Sequence, residues 1–362
     1  MEETFDLTTY LNKGSESLIA DILRSTLRNP KETLFLQRYR SCQPGMEARR
    51  MAHEAEGLHI PLFLIASITS ACNLYCKGCY ARANGQCGQQ KGTPLSRQEW
   101  SGVFSQAEAA GISFILLAGG EPFLRMDVLE AAAEKEGIIF PIFTNGTVIG
   151  PDALQLLDRH RNLVPVVSLE GGKEATDNRR GEGAYQVIRQ TFDHLSARKL
   201  LFGTSITVTT QNMEEVTDPT FVRDLYDQGC RLLFYIEYVP VAPGTEALAP
   251  DDAARARMEQ AQAALRAQFP GMVFLAFPGD EKYMGGCLAA GRGFFHINAT
   301  GGAEPCPFSP YTDGNVRDHT LLGVLQSPFF RKVRALNEQE STHAGGCALF
   351  AQEAQVRSLL FP

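Results

Sequence analysis

The chain is organised around the stretch Ala71-Cys72-Asn73-Leu74-Tyr75-Cys76-Lys77-Gly78-Cys79-Tyr80, in which three cysteines follow the spacing C-x3-C-x2-C. A structural zinc site would need a fourth soft ligand to complete its tetrahedron, and a dithiol redox pair would need only two cysteines. Three thiolates from one short loop instead suit a 4Fe–4S cluster whose remaining iron is free for another ligand. A zinc knuckle and three unrelated buried cysteines are the simpler alternatives for the same spacing.

The size and composition of the chain argue against some classes of protein. Its 362 residues are 44% hydrophobic, which is enough for one large α/β domain and a smaller appendage. A net charge of −7 argues against a protein that binds nucleic acid electrostatically. Residues 1–4 show no signal peptide, and the longest apolar run, 60–68, is too short to span a bilayer. We therefore expect a cytoplasmic protein that binds neither membrane nor nucleic acid.

Strand patterns alternate with helical patterns from residue 62 onward. Each predicted strand is a nearly continuous apolar run, as parallel strands buried on both faces require. Ser96 and Glu99 form a capping-box sequence that opens a helix, and Gly111 ends that helix. Six strand-plus-helix units precede a last short strand, whereas a complete barrel needs eight units. The predicted strands are 62–69, 112–118, 138–144, 163–169, 201–209, 231–239 and 272–277.

Two further features give the cysteine spacing a family resemblance. Tyr80 directly follows the last cysteine, and Ala118-Gly119-Gly120-Glu121-Pro122 directly follows the second predicted strand. The glycines leave backbone groups accessible, and the proline stops the strand. Together these motifs resemble the radical S-adenosylmethionine (radical SAM) enzymes. The resemblance implies an α/β fold with a partial (βα)6 barrel, in which the segment Gly119, Gly120, Glu121 and Pro122 binds the amino group of SAM.

The family also supplies an expected chemistry. In radical SAM enzymes the free iron of the cluster binds the amino and carboxylate groups of SAM. An electron from the cluster cleaves SAM to methionine and a 5′-deoxyadenosyl radical, which abstracts a hydrogen atom from the substrate. The resemblance implies that Cys72, Cys76 and Cys79 hold this 4Fe–4S cluster. It also implies an external one-electron reductant such as flavodoxin or ferredoxin.

Polar residues at the ends of later strands are further candidates for SAM contacts. Asn145 follows the third predicted strand, and Ser168 and Glu170 close the fourth. The resemblance assigns residues near the fourth strand to the ribose or methionyl part of SAM. It assigns a nearby arginine, Arg180 or Arg179, to the SAM carboxylate, which suits bidentate pairing. Ordinary turns and solvated charges are the simpler explanations of these residues.

A second set of cysteines, Cys287, Cys306 and Cys347, lies in the C-terminal part of the chain. The first two follow the spacing C-x13-G-x4-C, which resembles the opening of the SPASM/twitch cluster domain. Residues 294–302 fit a β-hairpin that brings their thiols together. A full SPASM domain continues with four closely spaced cysteines, whereas only Cys347 follows here, so we expect the shorter twitch arrangement with one auxiliary 4Fe–4S cluster. Structural thiols or a zinc site are the alternatives. No fourth protein ligand is evident, because Cys230 lies at the start of the sixth predicted strand, at the wrong end of the barrel, so a non-cysteine ligand and an open iron both remain as alternatives.

The sequence therefore predicts three segments. They are an N-terminal helical extension that caps the barrel (1–57), a radical SAM partial barrel (58–270) and a twitch-like auxiliary cluster domain (271–362). Within the extension, an apolar helical face lies over 18–27, and we expect Pro44-Gly45 to break the helical segment.

The predicted reaction is cleavage of SAM followed by hydrogen abstraction from a small metabolite or a peptide. Glu237 and Tyr238, on the sixth predicted strand, are candidates for contact with that substrate. The auxiliary cluster would either take an electron or bind the substrate. The alternative function is that of a non-catalytic iron–sulfur protein that carries electrons or inserts a metal.

Overall fold

The computed structural model describes residues 29–88, 92–339 and 346–360 of the chain. The helical face predicted over 18–27 lies outside these residues. Within them the backbone forms a nine-stranded sheet. Its strands are β1 (Phe63–Thr69), β2 (Phe114–Gly119), β3 (Phe140–Thr144), β4 (Leu163–Leu169), β5 (Gly203–Val208), β6 (Leu232–Glu237), β7 (Val273–Phe277), β8 (His296–Ile297) and β9 (Ala303–Glu304).

The sheet has the order β7-β6-β5-β4-β3-β2-β1-β8-β9 and is not closed. All neighbours from β7 to β8 are parallel, and only β8 and β9 pair in the antiparallel sense. This arrangement confirms the predicted α/β fold with a partial barrel. The apolar runs of the sequence form parallel strands in which every residue is buried or half-buried.

Helices cover the outside of the sheet. The predicted start and end of the helix Arg97–Ala110 are confirmed, because Ser96 and Glu99 form a complete capping box and Gly111 ends the helix in the left-handed conformation. None of the described helices combines the length and apolar character that crossing a bilayer requires. The helices are α1 (Pro30–Ala55), α2 (Tyr80–Ala83), α3 (Arg97–Ala110), α4 (Met126–Ala133), α5 (Pro151–Arg159), α6 (Lys173–Arg180), α7 (Ala184–Ala197), α8 (Met213–Val216), α9 (Pro219–Asp227), α10 (Asp252–Gln268), α11 (Leu321–Leu325), α12 (Pro328–Gln339), α13 (Ala348–Ala351) and α14 (Glu353–Leu360).

The long helix α1 covers the amino ends of the barrel strands. Its residues Leu36 and Tyr39 are completely buried, and they pack in one apolar cluster with Leu62 and Phe114, which lie at the starts of strands. The Tyr39 hydroxyl donates a hydrogen bond to the carbonyl oxygen of Ser113 at 3.1 Å. The helix therefore closes the end of the barrel opposite to the cysteine loop.

The predicted break at Pro44-Gly45 is wrong, because α1 continues through both residues. A proline inside a helix removes one backbone hydrogen bond and costs roughly 3 kcal/mol. The buried face of α1 lies on both sides of the proline, with Leu36 and Tyr39 before it and Met46 and Arg50 after it. Since each fully buried apolar side chain contributes roughly 1.5–3 kcal/mol, packing of this face outweighs the local cost.

The C-terminal hairpin joins the sheet of the barrel. As predicted, β8 and β9 form an antiparallel hairpin, but β8 also pairs with β1, with Ile65 opposite His296. On the far edge, β7 pairs with β6. The sheet therefore continues past residue 270, and the division into a barrel and a separate appendage at that point stays a prediction.

Candidate active site

The cysteine loop lies at the carboxyl end of β1, on the side of the sheet where parallel strands present their functional loops. The backbone N–H of Lys77 donates to the carbonyl oxygen of Arg179, at the end of α6, at 2.8 Å. The guanidinium of Arg82 donates to the carbonyl oxygen of Leu74 at 2.6 Å. These bonds hold the loop against α6, so the three cysteines are presented from a fixed backbone.

The three thiols of this loop lie close enough to influence one another. Burial raises the pKa of Cys76 and Arg180 lowers it, while the charges of Cys79 and Cys72 raise it further. A hydrogen bond with Cys87 is the main cause that lowers the pKa of Cys72. Among the described residues, no three His, Cys, Asp or Glu side chains are placed to hold a single metal ion. A 4Fe–4S cube needs a wider set, because each cysteine binds a different iron, and this group of thiols beside a cation fits it.

The glycine turn after β2 packs directly on the cysteine loop. A Cβ atom on Gly120 would lie 2.0 Å from the carbonyl oxygen of Ala71 and 3.1 Å from the Cβ of Cys72. Gly119 has a φ of +128°, and a Cβ there would lie 2.2 Å from the carbonyl oxygen of Thr69. Only glycine fits at either position, so the turn and the cysteine loop form one closely packed unit.

Glu121 is completely buried beneath this turn. Its carboxylate accepts hydrogen bonds from the Phe123 N–H at 3.1 Å, the Thr144 hydroxyl at 2.7 Å and the Asn145 N–H at 2.7 Å. Burial raises the pKa of Glu121 to about 7, although these bonds oppose the rise. Pro122 opens the short 3-10 turn that carries Phe123. The carboxylate thus ties the turn to the end of β3, and its predicted contact with SAM stays a prediction.

Asn145 connects this anchor to the cysteine loop. Its side-chain nitrogen donates to Oδ1 of Asn73 at 2.8 Å and lies 4.0 Å from Sγ of Cys72. Asn73 in turn donates to the Thr147 hydroxyl at 2.8 Å. Hydrogen bonds to the sulfurs of an iron–sulfur cluster tune its reduction potential, and Asn145 lies next to one of the cysteine sulfurs. Its predicted contact with SAM stays a prediction.

The predicted SAM-contact residues of β4 lie in two separate groups. The hydroxyl of Ser168 is 3.2 Å from that of Ser205 on β5. Glu170 is buried and binds both Arg179, at 3.1 Å, and Arg180, whose Nε lies 3.0 Å from the carboxylate. Burial opposes the charge of Arg180, but Glu170 and the nearby cysteine thiols raise the pKa of this guanidinium. Both arginines are therefore held in an internal ion-pair cluster beside the cysteine loop, and their pairing with SAM stays a prediction.

The two candidates for substrate contact lie at the end of β6. Glu237 is buried, and its Oε1 is 2.6 Å from Nη2 of Arg255. Its Oε2 and the buried hydroxyl of Tyr238 have no hydrogen-bond partner among the described residues. The Tyr238 hydroxyl lies against the cysteine loop, 2.7 Å from where a Cβ of Gly78 would be. Unpaired buried polar atoms are rare, but several others occur in the described chain, so the predicted contact of these two residues with the substrate stays a prediction.

Of the three C-terminal cysteines, Cys287 and Cys306 are buried in the main apolar core and Cys347 packs against it. Burial is the main cause that raises the pKa of Cys287, Cys306 and Cys347, and the charge of Cys347 adds to the rise in the other two. The metal that they hold stays a prediction, although the donor set fits an iron–sulfur cluster. Cys230 lies apart in the core, where its thiol donates to the carbonyl oxygen of Leu232.

Contacts that the sequence analysis missed connect the two groups of cysteines. Tyr80, which follows the first group, packs on Phe308, with ring centroids 4.8 Å apart. His296 on β8 is completely buried and lies 2.8 Å from both the Ser67 hydroxyl on β1 and the Glu304 carboxylate on β9. The sequence signal for the contact between His296 and Glu304 is a histidine opposite a glutamate across the predicted hairpin.

Two family models match the chain. The radical SAM superfamily model matches residues 66–218, which include the first group of cysteines. The SPASM model, an iron–sulfur cluster-binding domain, matches residues 287–348, which include the second group. Both matches confirm the predicted resemblance, and they indicate iron–sulfur clusters and SAM as the cofactors.

Curated relatives align along most of the chain. The AdoMet-dependent heme synthase of Methanosarcina barkeri is 25% identical over 303 residues, which cover 76% of this chain and 85% of that protein. The mycofactocin maturase MftC of Mycolicibacterium smegmatis is 26% identical over 321 residues, which cover 81% of this chain and 76% of that protein. Both relatives are enzymes, so the alternative of a non-catalytic electron carrier or metal-insertion protein is not supported.

Solved structures agree with this assignment at the level of the fold. Streptococcus suis SuiB bound to the precursor peptide SuiA has a TM-score of 0.67 and 19% identity, with 90% of this chain and 79% of that chain covered. SuiB bound to S-adenosylmethionine has a TM-score of 0.69 and 18% identity, with 90% and 80% covered. With its two domain matches, the chain is an enzyme of the radical SAM superfamily that carries a C-terminal iron–sulfur cluster-binding domain.

Proposed function

We propose that this enzyme cleaves SAM reductively at the Cys72, Cys76 and Cys79 site and uses the resulting radical to modify a peptide. One observation carries the proposal. The cysteine loop, the glycine turn and Asn145 meet at the carboxyl ends of three neighbouring strands, β1, β2 and β3, and they contact one another there. We assign the three cysteines to a 4Fe–4S cluster, and the three C-terminal cysteines to a second, auxiliary one.

The residues around the loop have distinct tasks in this proposal. Cys72, Cys76 and Cys79 would hold a cluster that, once reduced by an external one-electron donor such as flavodoxin or ferredoxin, would supply the electron for splitting SAM into methionine and a 5′-deoxyadenosyl radical. We assign Gly119, Gly120 and Pro122 to the methionyl end of SAM, and Ser168 to its remaining polar groups. Arg180, kept charged by its ion pair, offsets the negative charge of the thiolates. Fixed positions of this kind keep the reacting atoms aligned.

A peptide is the substrate class that we favour. The relatives include the mycofactocin maturase and the sporulation killing factor maturation protein SkfB of Bacillus subtilis, and the SuiB structure holds a precursor peptide. In this chain, the unpaired Glu237 oxygen and Tyr238 hydroxyl offer partners that backbone N–H and C=O groups of a peptide can use.

A second candidate substrate is a tetrapyrrole. The observation that favours it is the alignment with AdoMet-dependent heme synthase, which covers 85% of that enzyme. The abstracted hydrogen comes from a peptide for one candidate and from a tetrapyrrole for the other, so one labelling experiment separates them.

The experiment uses enzyme reconstituted with iron and sulfide under anaerobic conditions, SAM and dithionite. One sample receives a uniformly deuterated pool of peptides extracted from cells that produce this enzyme. Another sample receives a deuterated iron porphyrin. Deuterium in 5′-deoxyadenosine, detected by mass spectrometry, is expected from the peptide pool. Transfer from the porphyrin alone would assign the second candidate instead.

Variants of the cysteines test the two cluster sites. The reconstituted protein should bind about eight irons, and a variant with Cys72, Cys76 and Cys79 replaced by alanine should keep about half of them and make no 5′-deoxyadenosine. Formation of 5′-deoxyadenosine by this radical-site variant would refute the assignment of the first cluster. Zinc in place of iron at the C-terminal cysteines would refute the second.

A further inference from the structure

The interior face of the barrel can be followed from a ring contact and the strand registers. Phe143 on β3 contacts Phe234 on β6, with ring centroids 5.1 Å apart, although β4 and β5 separate these strands in the sheet. The contact spans the inside of the curved sheet, so both rings face inward. Successive side chains of a strand point to opposite faces, so Ile142, the neighbour of Phe143, faces outward.

The same interior face carries Ser67 on β1. Ile142 pairs with Leu117 on β2, which faces outward with it, so the next residue, Ala118, faces inward. Ala118 pairs with Ser67, and residues that pair in register lie on one face of a sheet. Ser67 keeps 8% of its surface exposed. Its hydroxyl is therefore presented to the inside of the barrel, just before the cysteine loop.

Ser67 is hydrogen-bonded to a histidine of the C-terminal hairpin. Its hydroxyl lies 2.8 Å from Nε2 of His296 on β8, and Nδ1 of the same ring lies 2.8 Å from Oε2 of Glu304 on β9. His296 is completely buried, and Glu304 is almost completely buried. The three side chains thus form a continuous hydrogen-bonded chain that runs from the interior of the barrel into the hairpin.

The surroundings of Glu304 indicate which nitrogen of His296 carries the proton. Oε1 of Glu304 accepts from the side-chain amide of Asn298 at 2.6 Å, and Oε2 accepts from the side-chain amide of Gln86 at 2.8 Å. The Asn298 amide has a fixed orientation, because its oxygen accepts from two backbone N–H groups of the hairpin turn. With an amide donor on each oxygen, Glu304 is placed to accept from Nδ1–H of His296 as well. The lone pair of Nε2 is then left for the proton of the Ser67 hydroxyl.

We propose that Ser67, backed by His296, is the proton acceptor for the substrate. The inference rests on the proposed function, in which a SAM-derived radical removes a hydrogen atom from the substrate. An N–H or O–H group beside the resulting carbon radical then gives its proton to the Ser67 oxygen, while the Ser67 proton passes to Nε2 of His296. The imidazolium that forms is paired with Glu304. Ser67 touches the substrate in this step, and the other two residues act through it.

The proton transfer leaves the unpaired electron on the substrate. Loss of that electron completes an oxidation in which the substrate gives up one hydrogen atom, one proton and one electron, which together equal two hydrogens. The acceptor of the electron is the iron–sulfur cluster that the proposed function assigns to the C-terminal cysteines. The inference therefore narrows the proposed modification to one in which a peptide becomes lighter by two hydrogens.

The first test uses the reconstituted full-length enzyme and the peptide pool of the labelling experiment, without deuterium. Peptides that have lost two hydrogens are quantified by mass spectrometry and divided by the 5′-deoxyadenosine formed. Ser67→Ala should lower this ratio about 100-fold, the lower end of the range for general acid–base catalysis. Ser67→Thr, which keeps a hydroxyl, should retain most of it. Ser113→Ala is the matched control, because it removes a buried serine hydroxyl that lies against Arg50 of α1, at the other end of the barrel, and its ratio should equal that of the parent.

The outcomes separate this inference from the proposed function. An unchanged ratio in Ser67→Ala would overturn the inference, while SAM cleavage and hydrogen abstraction would stand. If the parent enzyme forms no 5′-deoxyadenosine, the proposed function fails and the inference fails with it.

Nitrogen NMR spectra of the full chain, with isotope-labelled histidine, give a test that needs no substrate. The signals of His296 are assigned by their loss in His296→Gln. Nδ1 should be protonated, and Nε2 should be unprotonated and accept a hydrogen bond that Ser67→Ala removes and Ser67→Thr keeps. A proton on Nε2 in the parent protein would contradict the inference, because Ser67 would then have no base to receive its proton.

Discussion

Replacing Gly120 by alanine should strongly impair SAM cleavage, although the change adds only one methyl group. The new Cβ would lie 2.0 Å from the carbonyl oxygen of Ala71. To relieve this overlap, the glycine turn and the cysteine loop must move apart by about 1 Å, and such overpacking typically costs about 1–3 kcal/mol. Because a misplacement of about 1 Å can lower an enzymatic rate about 100-fold, we expect a loss of that size in 5′-deoxyadenosine formation, with little loss of iron.

Gly102→Ala is the matched control. Gly102 lies inside α3, and a Cβ there would have no neighbour within 4 Å. Alanine should stabilise the helix by about 1 kcal/mol and leave the rate unchanged. The assay measures 5′-deoxyadenosine by liquid chromatography after anaerobic incubation with SAM and dithionite, together with the iron content. Equal rates in the two variants would refute the reasoning that the turn positions the cysteine loop.

Three further perturbations test other parts of the structure. Burial raises the pKa of Glu121 to about 7, above the usual 4.5, so this carboxyl stays protonated to a higher pH in the folded state than in the unfolded state. The free energy of unfolding of the cluster-free protein should therefore fall as the pH rises from about 4.5 to about 7. Urea titrations of Glu121→Gln should lack this decline. Arg161→Met should lower the free energy of unfolding by about 3–5 kcal/mol, since it leaves Glu32 buried without its cation. Adding Glu32→Leu should restore most of that loss, and if it does not, the ion pair is not its cause. Tyr238→Phe should leave SAM cleavage intact but slow substrate turnover about 2–13-fold, the equivalent of one hydrogen bond of about 0.5–1.5 kcal/mol. A fall in its melting temperature would instead show that the hydroxyl is already paired within the fold.

The parallel part of the sheet could be predicted because its physical cause is local. A strand such as β4 is covered on both faces, so nearly all of its residues must be apolar, and this run is visible in the sequence. The capping box at Ser96 and Glu99 is visible for a similar reason, since both partners of its hydrogen bonds lie within one turn of helix. The spacing of Cys72, Cys76 and Cys79 is visible because one short loop carries all three thiols.

Features that depend on distant contacts could not be predicted in this way. The strand β8 has only two residues, His296 and Ile297, and nothing local indicates that it pairs with β1. The helix α1 tolerates Pro44 because residues on both sides of the proline pack on segments that lie far away in the sequence. Glu281 looks in the sequence like an acidic residue of an exposed turn, but the fold buries it.

The strands β1 and β8 pair with each other, although the ribosome makes them at different times. The hydrogen bond between Ser67 and His296 joins positions that are 229 residues apart. At about 5–20 residues per second, the ribosome needs roughly 10–45 s to deliver the second partner after the first. For that interval one edge of β1 carries unpaired N–H and C=O groups, and such edges recruit other chains. Iron that reached the cysteine loop during this interval would meet a strand whose second neighbour has not yet been made.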